Sequence, residues 1–388
     1  MIPKRNILRA IKKSIHQPVY ALENLIKRFQ AQWYYWFAKG KSPMPETLSI
    51  FITYRCNLQC KMCGQWGEKG IFKTFDKSTL QHQLSIDEIH NIISDVKSAR
   101  INITLFGGEP LINPDIIRII QIIKKAGLRC NLITNGTLIH RYANELVESG
   151  LDEIIFSLDG PELVHDEIRG IPGTYQNALK GFQKLSEIKK NKNSQKPLIN
   201  INSTIFESNY QIFQDTIEAS RPFNPDNLTF HHLLFLDNQR IPKFQEFFQS
   251  KFAQNPTDWQ GFGCDQIPSI DPQIIINQMK KLSKIRYPFN ISFYPNFNDE
   301  DIINWYSNFS FRSQSYKNRC KSLWMTAYIF PDGNVRPYHT MNYNIGNIRH
   351  NRFSEIWNNE KYQNYRKYII KHKSFEICSK GCTEFFRY

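Results

Sequence analysis

The sequence predicts an α/β protein whose core is a partial (β/α)6 barrel of the TIM-like kind. Two observations predict this fold. Strand-like apolar runs alternate with helix-like segments between residues 48 and 232, giving six βα units with no seventh or eighth unit to close the ring. The short polar motifs each follow a strand, and the carboxyl ends of parallel strands are where ligands bind in such folds.

The chain has 388 residues, 41% of them hydrophobic, which is enough for one large domain and smaller additions. We expect a basic, aromatic helical extension over residues 1–45 and the barrel over 46–235. A connecting region that covers the substrate is expected over 236–315, and a small α+β metal-binding extension over 316–388. Cys264, in the connecting region, is open to interpretation as a radical relay, a cluster ligand or an ordinary loop residue.

The predicted strands are apolar runs bounded by turn residues, and they cover 48–53, 101–106, 128–134, 153–158, 198–205 and 228–232. The first core helix follows a capping box formed by Ser85 and Glu88. The next helix starts at Asn113 and Pro114 and stops at Gly127, which are favoured positions for these residue types. Further helices are expected over 140–149, 174–190 and 210–219.

Three cysteines, Cys56, Cys60 and Cys63, come directly after the first strand with three and then two residues between them. Three thiolates so close together can hold three corners of a cubic iron–sulfur cluster and leave the fourth iron open, whereas electron-transfer clusters normally have four cysteine ligands. A structural zinc site is an alternative, but its fourth ligand would have to come from outside this loop. A disulfide is a weaker alternative, because nothing in the sequence indicates an oxidising compartment.

Two further motifs follow the second and third strands. In the first, Gly107 and Gly108 would let a ligand lie against bare backbone. Glu109, which is followed by Pro110, can accept a hydrogen bond from an ammonium group. An ordinary strand-to-helix turn would also explain the paired glycines. The second motif, Asn135 followed by glycine, is by itself a common turn pair.

The fourth strand runs into a polar segment that contains Ser157, Asp159 and Arg169. The planar, forked guanidinium of an arginine suits a carboxylate ligand well. The alternative interpretation is a surface ion pair between Arg169 and Asp159, which would have no role in binding.

In this order and at these distances, the motifs resemble those of the radical SAM enzymes, and the segment from Ser157 to Arg169 resembles the peptide-modifying branch of that family. The resemblance covers residues 48–205 and, in altered form, the C-terminal segment. It implies a [4Fe–4S] cluster on the three cysteines and S-adenosylmethionine (SAM) as second cofactor. It also implies an electron donor such as a flavodoxin or ferredoxin, and cleavage of SAM to a 5′-deoxyadenosyl radical that abstracts hydrogen from the substrate.

The same resemblance implies roles for the motif residues. The three cluster cysteines would be the catalytic residues, the motif after the second strand would hold the amino group of SAM, and Ser157 and Arg169 would bind its carboxylate. The residues expected around the cofactor are Gly107, Gly108, Glu109, Pro110, Asn135, Ser157, Asp159 and Arg169.

The C-terminal segment resembles the extension known as SPASM, or twitch in its shortened form. Residues 329–337 predict a hairpin with its turn at 331–333. The family pattern places a cysteine where Tyr338 stands, and the cysteines that would complete a second auxiliary cluster are missing too, so at most one auxiliary iron–sulfur cluster is expected. Its implied ligands are Cys320, Cys378, Cys382 and His339. An iron with an open fourth position, a zinc site or no metal are the alternatives.

The substrate is expected to be a peptide or protein, because extensions of this type often accompany enzymes that modify peptides. A sugar or another small metabolite is the alternative within the family. A nucleic-acid-binding module that carries a cluster or zinc is a third hypothesis, but the basic residues are dispersed and no RNA-binding motif occurs. Nucleic acid is therefore not an expected partner.

The net charge of +15 favours an anionic membrane, an acidic substrate or nucleic acid, or it reflects compositional bias. No apolar run approaches the roughly 20 residues that span a bilayer, and no signal peptide is evident, so we expect a cytoplasmic enzyme. In the N-terminal extension, helical spacing relates the apolar residues Val19, Leu22, Leu25, Ile26 and Phe29. Such a helix either packs on the outside of the barrel or docks peripherally on an anionic membrane.

Overall fold

The structure is a computed structural model that describes residues 18–388, with side chains from residue 21 onward. The first part of the predicted N-terminal extension lies outside the described residues. In chain order, the helices are α1 (Pro18–Phe37), α2 (Lys77–Gln81), α3 (Ile86–Val96), α4 (Ile116–Lys125), α5 (Ile139–Glu148), α6 (Glu162–Arg169), α7 (Thr174–Asn191), α8 (Phe213–Ser220), α9 (Arg240–Phe252), α10 (Pro272–Leu282), α11 (Asp299–Ser307), α12 (Phe353–Trp357), α13 (Glu360–His372) and α14 (Cys378–Gly381). The strands are β1 (Thr47–Phe51), β2 (Asn102–Phe106), β3 (Arg129–Thr134), β4 (Glu153–Ser157), β5 (Leu198–Thr204), β6 (Asn227–His231), β7 (Leu236–Asp237), β8 (Gly263–Cys264), β9 (Asn290–Tyr294), β10 (Thr326–Ile329), β11 (Asn334–Arg336) and β12 (Gly346–Asn347).

A ten-stranded sheet forms the framework of the described chain, in the order β12-β11-β10-β1-β2-β3-β4-β5-β6-β9. From β10 to β9 every neighbouring pair is parallel. The remaining two pairs, at the β12 edge, are antiparallel. The six predicted strands are confirmed as β1 to β6, and their ends differ from the prediction by at most two residues.

The predicted partial barrel is confirmed, and two strands outside the six βα units extend its sheet. β9 pairs with β6 and β10 pairs with β1, so two later segments lengthen the parallel sheet at both edges. β9 is short and half-exposed, which weakens the apolar pattern by which strands are recognised. Within residues 18–388, β9 and β10 do not pair with each other, so the barrel stays open between them.

The two faces of the sheet differ in character. Residues such as Ile201 and Leu228 belong to the buried apolar core. The alternate residues, which face the barrel lumen, are polar: Asn202 is in register with Thr229, and the hydroxyls of Thr229 and Ser292 are 3.0 Å apart. Parallel strands covered on both faces are normally apolar throughout. The polar inner face therefore indicates a lumen that accommodates polar groups.

Local signals in the sequence explain two of the turns. The capping box at the start of α3 is confirmed, since Ser85 Oγ accepts from the Glu88 N–H at 3.1 Å and the Glu88 carboxylate accepts from the Ser85 N–H at 2.7 Å. The predicted C-terminal hairpin is also confirmed as β10 and β11. Its turn contains Gly333 at a φ of +83°, a conformation that glycine adopts without strain.

Helix α1 packs on the outside of the sheet through one face. Tyr35 is buried on this face, and its ring centroid lies 4.8 Å from that of Trp324. The predicted apolar stripe does not make this contact: its members are 49% to 75% exposed at Leu22, Leu25, Ile26 and Phe29. Val19 precedes the described side chains. In the described part of the chain, no helix has the length and apolar character needed to cross a membrane.

Candidate active site

The loop that carries Cys56, Cys60 and Cys63 begins where β1 ends, at the carboxyl edge of the sheet. Backbone amides point at two of its sulfurs. The Leu58 N–H donates to Cys56 Sγ at 3.4 Å, and two amides in the turn after Cys63 donate to its Sγ, each at 3.4 Å. Hydrogen bonds to sulfur favour the thiolate form and tune the clusters that thiolates hold. The loop therefore suits anionic sulfur ligands.

The paired glycines after β2 pack against the cysteine loop. A Cβ on Gly108 would lie 2.1 Å from the carbonyl oxygen of Arg55, and one on Gly107 would lie 2.6 Å from that of Thr53. Backbone hydrogen bonds join the same segments, at 2.8 Å from Gly108 N–H to Thr53 and at 2.9 Å from Glu109 N–H to Arg55. These glycines thus permit the close approach of two backbones. In this structure the bare backbone of both glycines meets the protein's own chain.

Glu109 is completely buried at the carboxyl end of β2, and Pro110 after it begins a short 3₁₀ turn. The Glu109 carboxylate accepts hydrogen bonds from the Thr134 hydroxyl at 2.7 Å and from the backbone N–H groups of Asn135 and Leu111 at 2.8 and 3.0 Å. Burial nevertheless raises the pKa of Glu109 to about 7, although the three donors favour the charged form. A cation bound beside this carboxylate would restore its charge.

Asn135 connects the third strand to the cysteine loop. Its Nδ2 donates to Asn57 Oδ1 at 2.9 Å, and Asn57 Nδ2 donates to Thr137 Oγ1 at 2.9 Å. Sequence reasoning missed Asn57, because a polar loop residue has no periodic signal. Its position directly after Cys56 was the one available clue. The two asparagines therefore fix the loop relative to the motif that contains Glu109.

Asp159 and Arg169 form an ion pair that reaches the cysteine loop. Arg169 Nη2 lies 2.5 Å from Asp159 Oδ2, and Nη1 lies 3.6 Å from Cys60 Sγ. The Thr204 N–H also donates to Asp159 at 2.8 Å. Burial disfavours the charge on Arg169, but Asp159 and Cys60 outweigh burial and raise the pKa of the guanidinium. The ion pair between Arg169 and Asp159 that the alternative interpretation proposed is therefore present, but it is buried rather than on the surface, since the two side chains are 10% and 0% exposed.

Ser157 ends β4, is half-buried and is in register with Asn202 on β5. Helix α6, which ends at Arg169, docks on the cysteine loop through a 2.8 Å hydrogen bond from the Lys61 N–H to the Ile168 carbonyl. Ser157 and Arg169 therefore reach the same edge of the sheet as the cysteines, from a strand end and a helix end respectively.

The C-terminal cysteines lie near one another in a second buried place. Cys320, Cys378 and Cys382 are 7%, 9% and 6% exposed. Burial raises the pKa of Cys382 well above its ordinary value, and the neighbouring thiols of Cys378 and Cys320 raise it further. The three thiols are thus near enough to influence one another electrostatically, but in the described part of the chain they are not gathered as closely as metal ligands would be.

Tyr338 and His339 point to different neighbours. The Tyr338 hydroxyl lies 3.0 Å from both the hydroxyl and the backbone N of Thr383, directly after the last cysteine. The His339 ring lies 5.8 Å from that of Tyr328 and 6.1 Å from that of Phe106, the last residue of β2. Among the described residues, His339 Nδ1 is buried without a hydrogen-bond partner. Burial lowers the pKa of His339 to about 3, so the imidazole is neutral.

The segment before β8 closes over the cysteine loop. A Cβ on Gly64, the residue after Cys63, would lie 2.3 Å from the Phe262 ring. Cys264 follows in β8, and its thiol donates to the Leu236 carbonyl of β7 at 3.5 Å. Lys69 Nζ donates to the Gly263 carbonyl at 3.4 Å. The region between the barrel and the C-terminal domain therefore shields the cysteines on one side.

A four-iron cluster fits the cysteine loop on the chemistry of its surroundings. In the part of the chain described, no three His, Cys, Asp or Glu side chains are gathered closely enough to hold a metal ion, so the fit is judged from the sulfur environments. Burial raises the pKa of Cys56 to about 12, which means that a thiolate there needs positive charge nearby. Bound iron supplies that charge, and the amide donors and the Arg169 guanidinium complement it.

Comparison with known proteins agrees with this site. The family model of the radical SAM superfamily matches residues 50–218, and that of SPASM, an iron–sulfur cluster-binding domain, matches residues 320–383. An AdoMet-dependent heme synthase of Methanosarcina barkeri (strain Fusaro / DSM 804) is 27% identical over 325 residues, 81% of this chain and 82% of the relative. One of Oleidesulfovibrio alaskensis is 29% identical over 177 residues, which span 45% of this chain but only 42% of that relative.

Among solved structures, SuiB of Streptococcus suis bound to its precursor peptide SuiA matches with a TM-score of 0.62 and 14% identity, over 96% of this chain and 80% of that chain. At this identity the likeness shows the fold alone. The two family models between them contain both groups of cysteines described above. The chain therefore carries a radical SAM region in residues 50–218 and a SPASM iron–sulfur cluster-binding domain in residues 320–383, and it is an enzyme whose cofactors are a [4Fe–4S] cluster and S-adenosylmethionine.

Proposed function

We propose that this enzyme cleaves SAM reductively and uses the resulting radical to abstract a hydrogen atom from a peptide or protein. The observation that carries the proposal is the convergence of a buried carboxylate and a buried guanidinium on one cysteine loop. Glu109 is joined to the loop by backbone hydrogen bonding at Arg55, and Arg169 lies 3.6 Å from Cys60. These are the groups that an amino acid ligand needs beside the cluster.

The charges of the buried side chains assign their roles in binding SAM. Glu109 accepts from the SAM ammonium, which keeps the carboxylate ionised although burial raises its pKa to about 7. Arg169 and Ser157 hold the SAM carboxylate, and Asp159 holds Arg169 in place. Asn135 keeps Asn57 and the cysteine loop in position. When bound, the cluster supplies the single electron that splits the carbon–sulfur bond of SAM.

The surroundings of the site also support a radical reaction. The lumen beside it is polar and the Phe262 segment covers the cysteine loop, which limits access of water and oxygen to a reactive intermediate. We infer that the enzyme is cytoplasmic. We also infer that it receives electrons from a flavodoxin or ferredoxin, because such carriers deliver one electron at low potential.

A peptide substrate is supported by the likeness in fold to SuiB, which was solved with its precursor peptide. A small molecule is the second candidate, because the relatives from Methanosarcina and Oleidesulfovibrio are named heme synthases. A porphyrin or another small metabolite would then occupy the same lumen.

For the C-terminal domain, we propose one auxiliary iron–sulfur cluster held by Cys320, Cys378 and Cys382. Two candidates exist for the fourth position. The first is His339, which stands beside the position where the family has cysteine and whose ring centroid lies 6.1 Å from that of Phe106, since histidine replaces cysteine on some clusters. The second candidate is an iron that keeps an open position for the substrate, since Tyr338 stands where the family has cysteine.

The substrate class is tested by expressing the enzyme together with each short peptide encoded next to its gene, followed by mass spectrometry of the peptide. We expect a mass change in one peptide that disappears in the Cys56→Ala/Cys60→Ala/Cys63→Ala variant. If no peptide changes while a porphyrin is consumed in a SAM-dependent way, the small-molecule function replaces the peptide function.

A further inference from the structure

Helix α1 is attached to the protein by its polar side. Arg28 pairs with Glu46 at 2.8 Å, and Lys27 Nζ donates to the carbonyl of Arg100 at 2.6 Å. Tyr35 is the large aromatic residue of this attached side, with 1% of its surface exposed. The contacts that hold α1 in place are thus mainly ion pairs and hydrogen bonds.

The opposite side of α1 is a continuous apolar stripe that faces solvent. Its seven members are 49% to 75% exposed: Leu22, Leu25, Ile26, Phe29, Trp33, Trp36 and Phe37. At 3.6 residues per turn these positions fall within an arc of about 120°. A surface helix normally turns such a stripe towards the core. Here the orientation is reversed, and contiguous exposed apolar surface of this kind is typical of a binding site.

The sequence that contains this stripe is strongly basic. Residues 1–41 contain nine Lys and Arg residues against one Glu, which gives +8 of the total net charge of +15. At the C-terminal end of the stripe, the Arg319 guanidinium lies 4.6 Å from the centre of the Trp36 ring. Lys39 and Lys367 line a groove together with Trp36 and Ile370. Three described cations therefore lie beside the apolar stripe at its C-terminal end.

We propose that this stripe binds the surface of a membrane that contains anionic phospholipid. A helix with Trp, Phe and Leu on one face and Lys or Arg around it lies in the plane of the interface, with its apolar face at the boundary of headgroups and acyl chains. Tryptophan prefers this depth, and anionic headgroups attract the cations beside it. The stripe alone would suit a protein partner equally well, but the concentration of positive charge in residues 1–41 selects an anionic surface.

The orientation of α1 makes the proposal specific. Because the helix is fixed by its polar side, it can lie flat on a bilayer without leaving the protein, and the barrel stays above the headgroups. Binding therefore needs no rearrangement of the Arg28–Glu46 pair or of the contact between Tyr35 and Trp324. This docking is independent of SAM chemistry and of the substrate.

The test uses the full chain and vesicles of phosphatidylcholine with or without about one-third phosphatidylserine. The variant Leu25→Ser/Phe29→Ser/Trp33→Ser removes exposed side chains only. A matched control, Ile285→Ser/Ile303→Ser, changes residues that are 42% and 43% exposed on other parts of the surface. Co-sedimentation should show the wild type bound to the anionic vesicles at least about tenfold more tightly than to neutral ones, and less tightly as salt rises. The affinity of the stripe variant for anionic vesicles should be lower by about tenfold or more, and the control should bind them like the wild type.

Three outcomes would overturn the proposal. The first is a wild-type protein that ignores anionic vesicles and is monomeric, which would mean that residues 1–17 or another protein covers the stripe. The second is a wild-type protein that is dimeric and a stripe variant that is monomeric, with no vesicle binding by either protein. A second copy of the chain would then be the partner that covers the stripe. The third is equal vesicle binding by wild type and stripe variant. An unchanged unfolding midpoint shows that the stripe variant is folded.

Discussion

The guanidinium of Arg169 lies 3.6 Å from the sulfur of Cys60. Arg169 is buried, and its second terminal nitrogen, Nη2, lies 2.5 Å from Asp159 Oδ2. A buried positive charge beside a cluster ligand stabilises the reduced, more negative form of the cluster. The same guanidinium is the candidate for the SAM carboxylate. Arg169 and Cys60 therefore link the binding of SAM to the reduction potential of the cluster.

Replacing Arg169 by Gln should lower the reduction potential of the cluster. Loss of the positive charge disfavours the reduced form, and a tenfold change in that equilibrium corresponds to about 60 mV. Asp159→Asn should shift the potential in the opposite direction, because it removes the negative partner and keeps the guanidinium. A redox titration followed by electron paramagnetic resonance measures both. Shifts of the same sign in the two variants would contradict the assigned roles.

SAM binding should weaken as the pH falls through about 7. Burial raises the pKa of Glu109 to about 7, so protonation below that pH removes the charge that the SAM ammonium needs. Between pH 8 and pH 6 we expect a loss of affinity of about tenfold. Calorimetric titration of the enzyme with SAM measures this, with Glu109→Gln as the control. The control should bind weakly and without this pH dependence, whereas an equal slope in both proteins would assign the effect to another group.

The same group predicts a pH dependence of stability without SAM. The pKa of Glu109 in the folded state lies above its ordinary value of 4.5, so its contribution is fully present below about pH 4.5 and is lost as the pH rises through 7. The upper bound is about 3 kcal/mol. Unfolding by urea at pH 5 and pH 8 should show a larger decrease for the wild type than for Glu109→Gln. A decrease of the same size in both would contradict the prediction.

Gly108→Ala should prevent assembly of the cluster. A methyl group there would meet the Arg55 carbonyl oxygen at 2.1 Å, so the backbone before Cys56 must move. Overpacking of this kind costs about 3 kcal/mol or more. Gly127→Ala is the matched control, since its φ is +74° but nothing lies within 4 Å, and it should cost only about 1–2 kcal/mol. Iron content after anaerobic reconstitution decides the matter: full iron in Gly108→Ala would refute the packing argument.

His339→Ala separates the two candidates for the auxiliary site. If the fourth position is open, the variant should keep its iron, because the His339 ring then contacts aromatic side chains such as Phe106 and not the cluster. Cys378→Ala is the positive control and should lose the auxiliary iron. Loss of the same iron from His339→Ala would instead establish the imidazole as a ligand. Iron analysis and Mössbauer spectroscopy distinguish these results.

Local patterns in the sequence predicted most of the barrel. β1 to β6 are runs of apolar, largely β-branched residues, and the capping box at Ser85 fixes the start of α3. The pairing of β10 with β1 could not be predicted in this way, because Thr326 and Thr47 are distant in sequence and register is a property of the folded sheet. β9 was missed because its lumen-facing residues are polar and it is only half-buried.

The candidate active site likewise combines motifs that are local in the sequence with contacts between residues that are distant in it. The cysteine spacing and the motif at Glu109 are local and were recognised, whereas the pair of Asn57 and Asn135 joins residues 78 positions apart. For α1, the helical period revealed an apolar stripe but not the direction in which it faces. That direction depends on which polar side chains, such as Arg28, find partners on the body of the protein.

Formation of 5′-deoxyadenosine tests the central claim most directly. The anaerobically reconstituted protein is mixed with SAM and dithionite, beside the Cys56→Ala/Cys60→Ala/Cys63→Ala variant, and the product is quantified by liquid chromatography. We predict product from the wild type and none above background from the variant. Equal amounts of 5′-deoxyadenosine from both proteins would contradict the assignment of the three cysteines to the reaction.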